Sequence, residues 1–203
     1  MFALNYIKLG QMSQKSSQIR KISTFRRGVK IFLKQNLLAI NSVTSGGCLF
    51  LGDIIQQEFE YQSNILKSRY DWGRAVRMFV VGTCLGPLHH YYYIYLDKFV
   101  PKVNIKTVSL KIVCDQAFAS PLTLLAFFYG MGFLEGKSYA ESTNEVKTKL
   151  PYAYLGDCMY WPPVQFINFY YLPTHYRVIY INVATMIFNI FLSYMKHYDY
   201  DKS

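Results

Sequence analysis

Residues 116–134 read QAFASPLTLLAFFYGMGFL, nineteen residues without one formal charge. A hydrocarbon core of ~30 Å is crossed by about 20 residues rising 1.5 Å each. The stretch therefore has the length of one membrane span. Taken alone, it could equally be the buried helix of a soluble domain. Four other stretches repeat the pattern: 35–52 (QNLLAINSVTSGGCLFLG), 78–96 (MFVVGTCLGPLHHYYYIYL), 158–176 (CMYWPPVQFINFYYLPTHY) and 178–195 (VIYINVATMIFNIFLSYM). Each is 18 or 19 residues long. The charges collect between them, in EFEYQSNILKSRYDWGRAVR (58–77) and EGKSYAESTNEVKTKLPYAYLGD (135–157). Five runs of one length, all matched to a bilayer, point to an all-α, multi-pass integral membrane bundle.

Composition agrees. Apolar residues make up 52% of the 203-residue chain and charged residues 17%, against roughly 25% charged in soluble domains. Mean hydropathy is only +0.08, because much of the apolar content is tyrosine. Cys48, Cys84, Cys114 and Cys158 lie at least 30 residues apart and pair with no histidine at metal-ligand spacing. His89 and His90 are adjacent and point in different directions on a helix. A zinc site or disulfide framework is therefore not expected, nor is any other metal or cofactor. The nucleotide-binding G-x-x-x-x-G-K-S/T, the metalloprotease H-E-x-x-H and the hydrolase G-x-S-x-G motifs are absent, as are RNA-binding aromatic motifs. The chain reads as a non-enzyme with no evident DNA contact.

The net charge of +10 is concentrated at the amino terminus. Eight basic residues precede Asp53, the first acid of the chain. Residues 1–30 combine Arg and Lys with serine and threonine and lack a continuous apolar core. That is the composition of a mitochondrial presequence, or more plainly of a basic amino-terminal extension. Residues 35–197 then form a single transmembrane helical domain, and 198–203 a short polar tail. The terminal DKS is not a peroxisomal address.

Details within the runs set further expectations. Gly82 and Gly86 make a GxxxG that lets helices approach closely. Tyr91, Tyr92, Tyr93 and Tyr95 suit an interfacial belt. In the fourth run, Pro162-Pro163 suits a helix start and Pro173 a break. The expected helix is about ten residues, too short to span, so the count is about four spans with a Pro-broken aromatic segment before the last. An even count puts both termini on one side; the Lys/Arg distribution of the whole chain favours the matrix for that side, and the bias vanishes if import removes the residues through Arg27. Asp53 and Gln56 share a helix face, Asp115-Gln116 opens the third run, and Gln165, Asn168 and Arg177 mark the proline-rich segment. Polar groups at membrane depth either line an aqueous pathway or pair at helix ends, an acid with Arg177 for example. Both readings stay open from the residues.

The segment WPPVQFINFYYLPTHYR resembles the carboxy-terminal signature of the Mpv-seventeen and peroxisomal PMP-twenty-two (Mpv17/PMP22) family, W-P-x-x-Q-x-x-N-F-x-x-x-P-x-x-x-R. Trp161, Pro162, Gln165, Asn168, Phe169, Pro173 and Arg177 carry it. Upstream, Gly52, Asp53 and Gln56, then Gly86 and Pro87, then Asp115, Gln116 and Pro121 fall on the family's other motifs. The strings GPLHHYYYIYLDK, ASPL and FLEGKS are most similar to the Mpv-seventeen-like protein two branch. The resemblance implies a four-span protein of the mitochondrial inner membrane, with the peroxisomal membrane as the family's other address. For this branch it implies support of mitochondrial ribosome assembly and translation, with the lipid bilayer and the large ribosomal subunit as partners and oligomerisation open. The alternative is a channel-like protein passing ions or small metabolites, affecting membrane potential and mitochondrial DNA maintenance. Asp53, Gln56, Asp115, Gln116 and Gln165 would be its lining or intramembrane polar groups.

Overall fold

The computed structural model describes residues 36–100, 104–172 and 174–197, excepting the side chains of 97, 169 and 174–179. Two units divide the chain, Met1–Ile40 and Asn41–Ser203. The described part of the first is only the opening of a helix, and the bundle belongs to the second. The expected segments 1–30 and 198–203 lie outside the described residues.

Among the described residues every regular element is helical: α1 (Leu37–Gln62), α2 (Trp72–Phe99), α3 (Ile105–Cys114), a π turn (Asp115–Ala119), α4 (Ser120–Leu134), α5 (Tyr139–Tyr170) and α6 (Thr174–His197). Pro121 has no N–H for the carbonyl of Ala117 and would crowd it. The π turn accommodates this by sending the Ser120 N–H back to the Asp115 carbonyl. The helix thus widens without ending, and Ile105–Leu134 forms one 30-residue rod. That rod and α1 are long and apolar enough to cross a membrane. α2, α5 and α6, at 28, 32 and 24 residues, each reach about 36 Å or more at 1.5 Å per residue. The protein is an all-α, multi-pass helical bundle.

Local chemistry fixes the helix ends. Asp71 caps α2 by accepting from the Arg74 N–H at 3.0 Å. Asn104 with Thr107 and Ser138 with Glu141 form capping boxes at α3 and α5. At the other ends, Asn64 (φ 58°) and Gly136 (φ 73°) turn left-handed. The N–H groups of Ile65 and Lys137 reach back to the carbonyls of Glu60 and Gly132, closing α1 and α4 by the Schellman pattern.

Consecutive rods run antiparallel. Gly86 of α2 sits so close to Ser42 of α1 that a Cβ there would collide with the Ser42 backbone, and Gly82 meets the Cα of Gly46. The GxxxG expected from sequence is therefore the α1–α2 seam. Gly130 of α4 lies against Val81 of α2, Gly132 against Ser142 of α5, and Gly156 of α5 against Phe191 of α6. α6 returns beside α1 in parallel, with Gly52 against Asn189 and Ser193 against Asp53. The ring of helices closes around Leu49, Met78, Val81, Leu85, Leu124, Phe127, Phe128, Met131 and Leu192. Outward-facing Leu51, Val76, Val80, Leu122, Phe133, Val183 and Ile187 are exposed. In water such a surface invites aggregation, whereas hydrocarbon matches it.

Two expectations are corrected. Pro162 and Pro163 do not start a short helix; they lie, with Pro151, inside the 32-residue α5. That helix is nucleated 24 residues earlier by the Ser138 capping box. Inside a bundle, neighbouring helices compensate the carbonyls that prolines leave free. α5 ends at Tyr170, just before Pro173, which itself lies outside the described residues. Because α5 is as long as its neighbours, Asn41 and His197 fall at opposite ends of the bundle, whereas both termini were expected on one side.

Candidate functional site

The ends of α1, α4 and α6 and the starts of α2 and α5 meet at one end of the bundle, and there the buried charges gather. Asp53 is fully buried, and Gln57 and Ser193 with it. The Arg74 guanidinium donates from Nε to Asp53 Oδ1 at 2.8 Å. Its Nη1 and Nη2 fork onto Glu60 at 2.6 and 3.1 Å. Nη2 also reaches Ser193 Oγ at 3.0 Å, and that hydroxyl donates to Asp53 at 2.6 Å. Gln57 donates to the other Asp53 oxygen at 2.6 Å and accepts from the Asp71 N–H, so it ties the α2 cap to α1. Gln56 donates to Glu60 at 3.1 Å. One arginine thus bridges two carboxylates from α1 and a hydroxyl from α6. The fork geometry is what guanidinium supplies and ammonium does not.

Beside it lies a second ionic cluster. Lys196, 2% exposed, bridges Glu145 at 2.7 Å and Glu135 at 3.0 Å. Lys137 also contacts both acids, at 2.9 and 2.8 Å, and Lys149 adds a bond to Glu145 at 3.3 Å. Glu145 and Lys137 belong to the polar loop and first turns of α5, before its apolar stretch. Burial pushes the Glu145 carboxyl up, but hydrogen bonds from Lys137 and Lys196 outweigh it and hold the group at about 2. For Lys137, burial is likewise overcome by Glu135 and Glu145, which raise it above its ordinary value. Together the two clusters bolt five helices at one end.

The sequence-predicted polar residues are divided among three places. Asp53 and Gln56 join the arginine network. Asp115 and Gln116 lie in the π turn near the middle of the 30-residue rod, where Tyr93 OH donates to Asp115 at 3.1 Å. Gln165 and Asn168 sit on the carboxy-terminal half of α5, each with a buried side-chain carbonyl oxygen that has no hydrogen-bond partner among the described residues. Trp161 packs edge-on to Tyr160 at 5.5 Å and against Phe188 of α6 at 5.7 Å. Pro162 is half-buried beside it. Gly86 forms the α1 seam, and Pro87 continues α2 directly after it. The side chains of Phe169 and Arg177 and residue Pro173 lie outside the described residues.

Sequence reasoning missed Arg74, Glu60, Ser193 and Asp157. Arg74 looked like one of several loop charges; its only signal was a position three after a helix-capping Asp71. Ser193 is one of several hydroxyls in an apolar run, and Asp157 precedes the fourth run by one residue. The partner of Asp53 is Arg74, and the side chain of Arg177 lies outside the described residues.

Comparison with known proteins adds the family context. The profile described as the Mpv17 / PMP22 family matches residues 132–193. PXMP2/4 family protein 4 of Dictyostelium discoideum is 37% identical over 159 residues, covering 78% of this chain and 85% of that protein. The mitochondrial inner membrane protein Mpv17 of Homo sapiens is 30% identical over 159 residues, with 78% and 89% covered. The peroxisomal membrane protein PMP22 of Arabidopsis thaliana is 29% identical over 164 residues, with 79% and 84% covered. No solved structure is a significant match.

Proposed function

Since the chain belongs to the Mpv17/PMP22 family of organelle membrane proteins, we propose that it works in the mitochondrial inner membrane and supports mitochondrial ribosome assembly and stability, and so organelle translation. It does this as a non-catalytic interaction platform, with the large ribosomal subunit as partner. The assignment to this task within the family rests on the strings GPLHHYYYIYLDK, ASPL and FLEGKS. The observation that favours a platform over a conduit is the filled centre. Met78, Phe127, Phe128 and Met131 are all completely buried, so among the described residues side chains fill the middle of the helix ring. The acid-free basic segment before Asp53 suits a presequence drawn toward the matrix by the membrane potential.

The test is purification of the tagged full chain from mild-detergent extracts of mitochondria, followed by gradient sedimentation. Co-migration with large-subunit particles, and loss of organelle protein synthesis on depletion, are expected. Normal synthesis after depletion, or recovery of the protein in peroxisomes, overturns the proposal. So does a planar-bilayer conductance of the purified chain that Asp53→Asn alters, which would assign it to the channel class.

A further inference from the structure

The outer face shared by α1 and α2 carries an open-sided groove of about 370 Å³, within the roughly 300–1,000 Å³ of small-ligand pockets. Gly47, Phe50 and Leu51 of α1 and Val76 and Phe79 of α2 line it, and none has a polar side chain. Gly46 packs against α2, whereas a Cβ on Gly47 would meet nothing within 4 Å. The missing side chain of Gly47 therefore enlarges the groove and serves no contact of the α1–α2 seam. Phe50 stacks with Trp72 at 6.4 Å, and Trp72 lies about 10 Å from Phe79 along α2, toward the charged end. Its exposed indole, with an apolar body and one N–H donor, suits the level of lipid headgroups.

At that level sits a cation with no partner. Arg77 folds back over the first turn of α2, its Nη1 3.5 Å from where a Gly73 Cβ would stand. Its Nε is buried without a hydrogen-bond partner, and among the described residues no acid lies within 4.0 Å of the guanidinium. The nearby Asp71 carboxylate, also beside Gly73, caps the helix by accepting from the Arg74 N–H at 3.0 Å. Arg69 of the same region is already paired with Glu58 at 2.9 Å. Gly73 and Val76, three apart and both exposed, lie one above the other on α2. The Arg77 guanidinium thus stands one turn above the groove. Unmatched donors at the edge of hydrocarbon are costly, and phosphate oxygens match the guanidinium fork. An unpaired cation above an apolar slot calls for an occupant with an anionic head and an apolar tail. A choline headgroup would bring its own cation beside Arg77, which disfavours it.

We propose that this face of α1 and α2 binds one anionic phospholipid, with its phosphate on the Arg77 guanidinium beside Trp72 and an acyl chain in the groove over Gly47. The lipid matches the unpaired charge and fills the slot between the two helices.

The experiment uses the purified full chain, stripped of lipid in a non-ionic detergent and carrying Trp161→Phe so that Trp72 is the only tryptophan. Phosphatidylglycerol or phosphatidylcholine with brominated acyl chains is titrated in, and quenching of Trp72 fluorescence is read. Saturable quenching is expected, with phosphatidylglycerol bound about fivefold more tightly, the effect of one basic residue at a membrane surface. Arg77→Gln should remove that preference, and Arg77→Lys should keep part of it. Gly47→Leu, whose side chain has open space to enter, should retain the wild-type Tm and weaken both lipids several-fold. The proposal is overturned if the two lipids bind equally to wild type, or if Arg77→Gln keeps the preference. It is equally overturned if Gly47→Leu leaves both titrations unchanged. Should Gly47→Leu instead turn a dimer into a monomer by light scattering, with lipid affinity unchanged, the groove receives a second copy and the proposal fails. Complete displacement of the lipid by millimolar inorganic phosphate means that the site takes a free anion, and also overturns it.

Discussion

Replacing Arg74 by alanine puts the architecture of the charged end to a direct test. The guanidinium makes four hydrogen bonds, to Asp53, Glu60 and Ser193, with side-chain exposures of 6% for Arg74, 0% for Asp53 and 9% for Glu60. Its removal strands two buried carboxylates with only neutral donors, from Gln56, Gln57 and Ser193, to solvate them. Breaking a buried ionic cluster in this way costs about 3–5 kcal/mol. At roughly 2–4 °C per kcal/mol for a chain of this size, Tm in detergent should fall by about 6–20 °C. Arg74→Lys keeps the charge but cannot fork onto Glu60 while holding Asp53, so its loss should be intermediate. The triple variant Asp53→Leu, Glu60→Leu, Arg74→Met removes every charge at once and should recover most of the loss. Unfolding can be followed by the fluorescence of Trp72 and Trp161. If Arg74→Ala stays within about 2 °C of wild type, or if the triple variant is no better than Arg74→Ala, the network is not what joins α1, α2 and α6.

Other perturbations separate the remaining features. Gly86→Val drives a side chain into the Ser42 backbone and should cost about 1–3 kcal/mol; cross-linking between cysteines introduced on α1 and α2 would show the seam opening. Glu145 is held at about 2 in the folded protein, below the ordinary carboxylate value of about 4.3. Its stabilising contribution is therefore complete above that ordinary value and is lost as pH falls from there toward 2. The Glu145 contribution should appear as a decline in Tm below about pH 4.3, and Glu145→Gln should flatten that acid limb while lowering Tm at neutral pH.

Much of the membrane character was legible in the pattern of charges alone. Runs of 18 or 19 uncharged residues reflect a solvent of fixed thickness, and no tertiary contact is needed to read that constraint. The GxxxG of Gly82 and Gly86 was likewise visible, since a helix face without side chains has few uses other than close approach. The proline-rich segment was misjudged for a physical reason. Proline propensity describes a helix in water, where a freed carbonyl has no packed neighbour, whereas α5 runs among other helices and continues through Pro151, Pro162 and Pro163.

By itself the sequence determined the solvent and the all-helical class, because these follow from hydrophobic length and backbone satisfaction within one segment, whereas the 32-residue length of α5 was not legible in it. Only the tertiary structure decided which polar residues meet. Arg74 and Ser193 are 119 positions apart, and their pairing has no local signature. Partners across a bundle are chosen by helix rotation and register. Those are set by interdigitating glycines and core side chains along the whole interface, not by any one segment.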